Sequence, residues 1–79
     1  MPRIDLNRVA VFVRVAEIGN FTKAARALRL PTSSVSRAVA NLEEELGVRL
    51  INRSTRKLSL TSSGDSFFRR MRRRRNTGG

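Results

Sequence analysis

Thr32, Ser33, Ser36 and Arg37 sit within six residues of one another, at spacings that gather them on one side of a helix start. Three hydroxyls and a guanidinium in that pattern suit hydrogen bonding to base edges and phosphate oxygens. No equivalent set exists for catalysis. The chain lacks His, Cys and Tyr. The usual general base near neutral pH, the thiolate nucleophile and the commonest zinc ligands are therefore missing. Glu43, Glu44 and Glu45 form one run, while Asp5, Glu17 and Asp65 stand apart. There is no glycine-rich phosphate loop. These residues argue against an enzyme, and no metal or cofactor is expected.

The charge points the same way. Seventeen Lys and Arg face six Asp and Glu, for a formal net charge of +11. Such an excess favours a polyanion: nucleic acid first, an anionic membrane second. Residues 1–61 carry a net +6 and residues 62–79 a net +5. The body is basic without the Arg72-Arg73-Arg74-Arg75 run, so a nucleic-acid partner does not depend on that run. A membrane-surface helix would need a broad apolar face, which the arginine-rich end lacks. The chain has no apolar stretch of spanning length, and Met1-Pro2-Arg3-Ile4-Asp5 is not the start of a signal peptide. A cytoplasmic, nucleoid-associated protein is expected.

Five elements must position these groups. Leu6, Val9, Val13 and Ala16, with Phe12 adjoining, mark an amphipathic helix from Asp5 to about Ile18. Asp5 is its expected N-cap, and Gly19-Asn20 its stop. A second, short helix is expected from Thr22 to about Leu28, with Thr22 as cap and Phe21 as a staple before it. Ala24, Ala25 and Leu28 share its inner face. Lys23, Arg26 and Arg29 lie on the other, either as a solvated surface or as phosphate contacts. Pro31 disfavours helical geometry at Leu30, so the turn is tight. A third helix then runs from Thr32 or Ser33 to Leu46 on a stripe of Val35, Ala38, Val39, Leu42 and Leu46, closed by Gly47.

The third helix has a telling polarity. Its acids gather at its C-terminal end, where they also oppose the helix dipole. A helix that inserts only its first turns into DNA tolerates such an end, with the acids facing away from the phosphates, as in a helix-turn-helix. Arg49-Leu50-Ile51 and Leu58-Ser59-Leu60 read as strands of a small hairpin around the polar loop Asn52–Lys57. Leu50, Leu58 and Leu60 are its contacts to the helical core. A last helix is capped by Thr61, Ser62 or Ser63 and carries Phe67, Phe68 and Met71. It is expected to fray within the arginine run, leaving Thr77-Gly78-Gly79 disordered. The fold class is mainly α: a winged helix-turn-helix with a three-helix core, a small hairpin wing and a partial C-terminal helix.

Three fragments carry a family resemblance. They are Gly19-Asn20-Phe21-Thr22-x-Ala24-Ala25-x-x-Leu28, Ser34-Val35-Ser36-Arg37-Ala38-Val39-x-x-Leu42-Glu43-x-x-Leu46-Gly47, and Arg49-Leu50-Ile51-x-Arg53-x-x-Arg56-x-x-x-Leu60-Thr61-x-x-Gly64. In this order and spacing the chain resembles the DNA-binding domain of LysR-type transcriptional regulators over roughly residues 4–68. The resemblance divides the chain into a winged helix-turn-helix at 1–61, a partial linker helix at 62–75 and a disordered tail at 76–79. It implies bacterial, sequence-specific binding of double-stranded DNA in transcription regulation. Thr22, with Lys23 beside it, would meet phosphate. Thr32, Ser33, Ser34, Ser36 and Arg37 would work at the major groove. Arg53, Arg56 and Lys57 would act from the wing on the backbone or minor groove.

Two departures stand out. Pro31-Thr32-Ser33 replaces the family's frequent Ser-Gln-Pro, so a glutamine suited to adenine gives way to a threonine. Ile51 stands where Phe is frequent. Members also continue through a long linker helix into an effector-binding domain, whereas this sequence switches to arginines after Phe68. A shortened chain, a frameshift in a GC-rich gene (visible in the other reading frames of its DNA) and a natural DNA-binding-only protein all fit. A weak homodimer through the partial linker helix, or a monomer, is expected. Arg37 has other possible partners: a phosphate, or Glu44 or Glu45. The alternative functions are a non-specific basic nucleic-acid binder and an inactivating partner of full-length regulators.

Overall fold

The computed structural model describes residues 5–53 and 57–76, with side chains as far as Arg72. Four helices and one hairpin follow in the order α1 Leu6–Ile18, α2 Phe21–Leu28, α3 Thr32–Leu46, β1 Ile51–Asn52, β2 Ser59–Leu60 and α4 Ser62–Asn76. The architecture is a mainly α, winged helix-turn-helix.

Helix α1 begins where Asp5 accepts the Asn7 N–H, and it ends at Gly19, whose φ of 76° is the left-handed conformation that glycine adopts freely. It is the central element. Val9, Val11, Phe12, Val13 and Val15 are all buried, more than one stripe, because α2, α3 and α4 each pack on it. Leu6 departs from the expected stripe. It is 78% exposed, as the first helical residue, outside a core cluster that starts at Val9.

Helix α2 starts one residue earlier than expected, and its cap is Asn20 instead of Thr22. The Asn20 side chain accepts the Lys23 N–H at 2.9 Å. Asn is the stronger N-cap of the two, and its use also lets Phe21 enter the helix and pack on the core. Ala24 and Ala25 are buried. The helix ends on Arg29 at φ 58°, the only non-glycine residue with positive φ among those described. Leu30 N–H then returns to the Ala25 carbonyl, and the chain turns within three residues into α3.

Pro31 precedes α3 in extended conformation and supplies no side-chain cap. Val35, Val39 and Leu42 are fully buried along the inner face, and Gly47 closes the helix at φ 72°. The strands are shorter than the alternation indicated. Only Ile51 with Leu60 and Asn52 with Ser59 pair, antiparallel. Leu50 lies outside the ladder, fully buried in the core.

Helix α4 is capped by Thr61, whose hydroxyl oxygen accepts the Gly64 N–H at 2.9 Å. The expected fraying within the arginines is not seen: α4 continues through them to Asn76, the first residue of the anticipated tail. Arginine is a good helix former, and cations near a C-terminus complement the helix dipole. The rest of the expected tail, residues 77–79, lies outside the described residues. Phe67, Phe68 and Met71 pack against the core, with Phe67 tilted against Phe12 at 5.8 Å between ring centres.

Candidate nucleic-acid interface

The candidate residues form two groups. Thr32, Ser33, Ser34 and Arg37 are exposed on the first turns of α3, and Ser36 is half-buried beside them. Because no side chain caps α3, its first N–H groups are left without a side-chain acceptor. Among the described residues no carboxylate forms an ion pair with Arg37. Glu45 is already engaged by Arg8 at 2.7 Å, an α1–α3 bridge, and Glu44 is exposed.

The second group is built from two elements. Thr22, Arg53 and Lys57 line one cleft between the N-terminus of α2 and the hairpin, together with Asn20 and Asn52. Lys23 is exposed on the same first turn of α2. Capping by Asn20 spares Thr22 from that task. This convergence depends on the hairpin folding back toward α2, which residue spacing does not encode. Arg56 lies outside the described residues, as do Ser54 and Thr55. Arg26 and Arg29 are exposed on α2 and at its end.

The acids at the end of α3, read in the sequence as one run, have three different environments: Glu43 is buried, Glu44 is exposed and Glu45 is bound by Arg8. Both carboxylate oxygens of Glu43 are occupied. Oε2 accepts the Leu50 N–H at 2.8 Å and the Ile51 N–H at 3.1 Å. Oε1 accepts from the Arg53 guanidinium at 3.0 Å. Burial by itself pushes the Glu43 carboxyl up. The two N–H groups and the Arg53 charge pull it down further, so it lies below the usual carboxylate range. Arg53 is therefore tied to α3 as well as being a surface cation, with its side chain 40% exposed. The signal for Glu43 was its position: it is four residues after Val39 and adjacent to Leu42, at the edge of the apolar stripe.

Thr61 and Gly64, both quoted in the sequence pattern, have contacts to the wing that the pattern did not assign. The backbone of Leu50 is held from the other side by α4: Thr61 N–H donates to the Leu50 carbonyl at 3.1 Å. The Thr61 hydroxyl donates to the Arg49 carbonyl. Gly64 then approaches so closely that a Cβ there would overlap the Leu50 carbonyl oxygen. Among the described residues no helix is long and apolar enough to cross a membrane, and no group of three potential ligands could hold a metal.

Comparison with known proteins agrees with this geometry. Residues 6–65 match the model for the bacterial regulatory helix-turn-helix proteins of the lysR family. The chain is 54% identical over 71 residues to the HTH-type transcriptional regulator CrgA of Neisseria meningitidis, covering 90% of this chain and 24% of that protein. It is 48% identical over 68 residues to the transcriptional activator AaeR of Escherichia coli, covering 86% of this chain and 22% of that protein. The chain thus spans about a quarter of the length of these relatives. Among solved structures, the DNA-binding domain of BenM in complex with catB site 1 DNA superposes with a TM-score of 0.84 at 38% identity, covering 87% of this chain and 74% of that one. Oxidised OxyR of Corynebacterium glutamicum gives 0.85 at 36%, covering 96% of this chain and 25% of that one. The chain belongs to the lysR family of bacterial regulatory helix-turn-helix proteins.

Proposed function

We propose that this chain binds double-stranded DNA sequence-specifically in transcription regulation, with the start of α3 in the major groove and the wing on the backbone or minor groove. The observation that carries this reading is the exposed, uncapped start of α3. There Thr32, Ser33, Ser34 and Arg37 stand free of the helix's own acids, which are taken up by Arg8 and by the wing or lie a turn or more away. The BenM domain of similar fold is known in complex with DNA, which supports the same use here.

Base readout falls first to Arg37. A guanidinium bonded to guanine O6 and N7 contributes about 1–3 kcal/mol of discrimination. Thr32, Ser33, Ser34 and Ser36 are adaptable donors and acceptors. Thr22, Lys23, Arg53 and Lys57 act on phosphates, which position the protein without reading sequence. Arg56 joins them by its place in the wing sequence. Two copies on one site would read half-sites about 34 Å apart, one helical turn.

The test is enrichment of duplexes from a random pool, followed by affinity on the enriched and on a scrambled duplex. Arg37→Ala is expected to shrink the ratio between the two by roughly tenfold, the lower part of the range for a bidentate contact. Arg53→Ala is expected to weaken both alike. Equal losses on both duplexes for Arg37→Ala would refute the assignment. A second reading, non-specific binding, draws on the arginines that α4 carries to Asn76. A wild-type chain that enriches nothing would favour it.

A further inference from the structure

The wing is too small to orient itself. Its ladder is two residue pairs, Ile51 with Leu60 and Asn52 with Ser59. A hairpin of that size has no independent stability and takes its attitude from what it packs on. Apolar contact through Leu50 and Ile51 is non-directional. The directional contacts from α3 converge on one carboxylate. Glu43 receives Leu50 N–H, Ile51 N–H and the Arg53 guanidinium, three groups spanning four consecutive residues at the entry to the wing. It is 7% exposed, and both its oxygens are used.

From this arrangement we infer that Glu43 is a positioning residue for DNA binding. It latches the wing to α3, so that the wing cations meet the backbone in a fixed register with the helix that reads bases. This rests on the DNA-binding reading above. The latch sits at the C-terminal end of α3. The base-reading residues sit at its start, and the last of them, Arg37, is six residues before Glu43. Loss of Glu43 should therefore uncouple the wing without erasing base preference. A residue serving only stability would weaken recognition and wing binding together.

The test uses the full chain and a duplex of about 30 base pairs enriched by the wild type, long enough for two half-sites one turn apart with flanks. Glu43→Gln preserves shape and one acceptor oxygen but removes the charge that holds Arg53. Folded fraction is first measured by circular dichroism at the assay temperature. The folded variant is expected to keep its discrimination against single-base changes in the centre of the site. Hydroxyl-radical protection at the flanks should disappear. Its slope of log affinity against log salt should fall by about 0.9 for each phosphate that the wing no longer neutralises. Lys57→Ala, expected to weaken the wild type, should add little in the Glu43→Gln background. If Glu43→Gln does not fold, Glu43→Asp keeps the charge on a shorter arm and should show the same unprotected flanks.

Unchanged flank protection in a folded variant, or a Lys57→Ala effect of the same size in both backgrounds, would overturn the latch while leaving the DNA-binding reading intact. Failure of the wild type to enrich any duplex would overturn both.

Discussion

At the residue scale, the decisive side chain is an acid in a basic protein. Glu43 is one of three consecutive glutamates, and a run of like charges ordinarily reads as a solvated surface. Its destination depends on where the chain goes after Gly47, which no local pattern states. The surface chemistry was more legible: the hydroxyls and Arg37 at the start of α3 are exposed as their types and spacing imply, Ser36 by half. Glu43 also makes stability depend on pH. Its carboxyl is held below its ordinary range, although burial opposes this, because Leu50, Ile51 and Arg53 favour the charged form. A group depressed on folding contributes stability that is fully present above its unfolded value, about 4.3. That contribution disappears as pH falls through the lower, folded value. Urea melts from neutral pH down through that window should show the wild type losing more stability than Glu43→Gln does. The variant should be the less stable of the two at neutral pH. Parallel losses on acidification would mean that other carboxylates account for the acid sensitivity. The Arg8–Glu45 bridge is partly exposed on both sides and is expected to matter little.

At the element scale, the joint between wing and α4 is held by both hydrogen bonds and close backbone packing. Thr61 caps α4 with its hydroxyl oxygen and bonds the Arg49 and Leu50 carbonyls. The first turn of α4 can then lie on the Leu50 peptide only because residue 64 has no Cβ. Gly64→Ala would drive a methyl into the Leu50 oxygen, which is backbone and cannot swing aside. The helix must shift, at a cost of about 3 kcal/mol, typical of severe overpacking. For a domain of this size each kcal/mol lowers Tm by roughly 4–8 °C. A calorimetric Tm within a few degrees of wild type would show that α4 moves off the wing freely. The helices themselves were readable because a 3.6-residue period and glycine stops are local signals: α1 and α3 end at Gly19 and Gly47 as expected. The start of α2 was misread because Asn20 reads with Gly19 as the stop of α1, yet Asn is also a stronger N-cap than Thr and leaves Phe21 inside the helix to pack on the core. Strand length was overestimated for the same kind of reason. Alternation in Arg49-Leu50-Ile51 reports burial, and Leu50 is buried by the helices instead of by a ladder.

At the scale of the whole molecule, α4 spends its apolar face inward. Phe67 meets Phe12 in the core, Phe68 and Met71 pack alongside, and Arg72 lies over the Phe68 ring at 5.8 Å. What remains outward on α4 is mostly charge, including exposed Arg69, Arg70 and Arg72. A stable protein interface buries about 800 Å² per partner around an apolar centre. This 79-residue chain is therefore expected to be monomeric at low micromolar concentration by light scattering. The same charge makes a distinct prediction for DNA. The net +11 acts on any polyanion, whereas the proposed reading assigns the discrimination between sequences to the start of α3. Changing Arg72, Arg73, Arg74 and Arg75 to glutamine lowers the net charge to +7 and alters no residue of α3 or the wing. Affinities for enriched and scrambled duplexes should then fall together. The salt slope should drop by up to about 0.9 per phosphate left unneutralised, and the ratio between the two duplexes should hold. A ratio that collapsed with the arginines would move sequence discrimination from α3 to α4, because a purely electrostatic contact weakens both duplexes by the same factor.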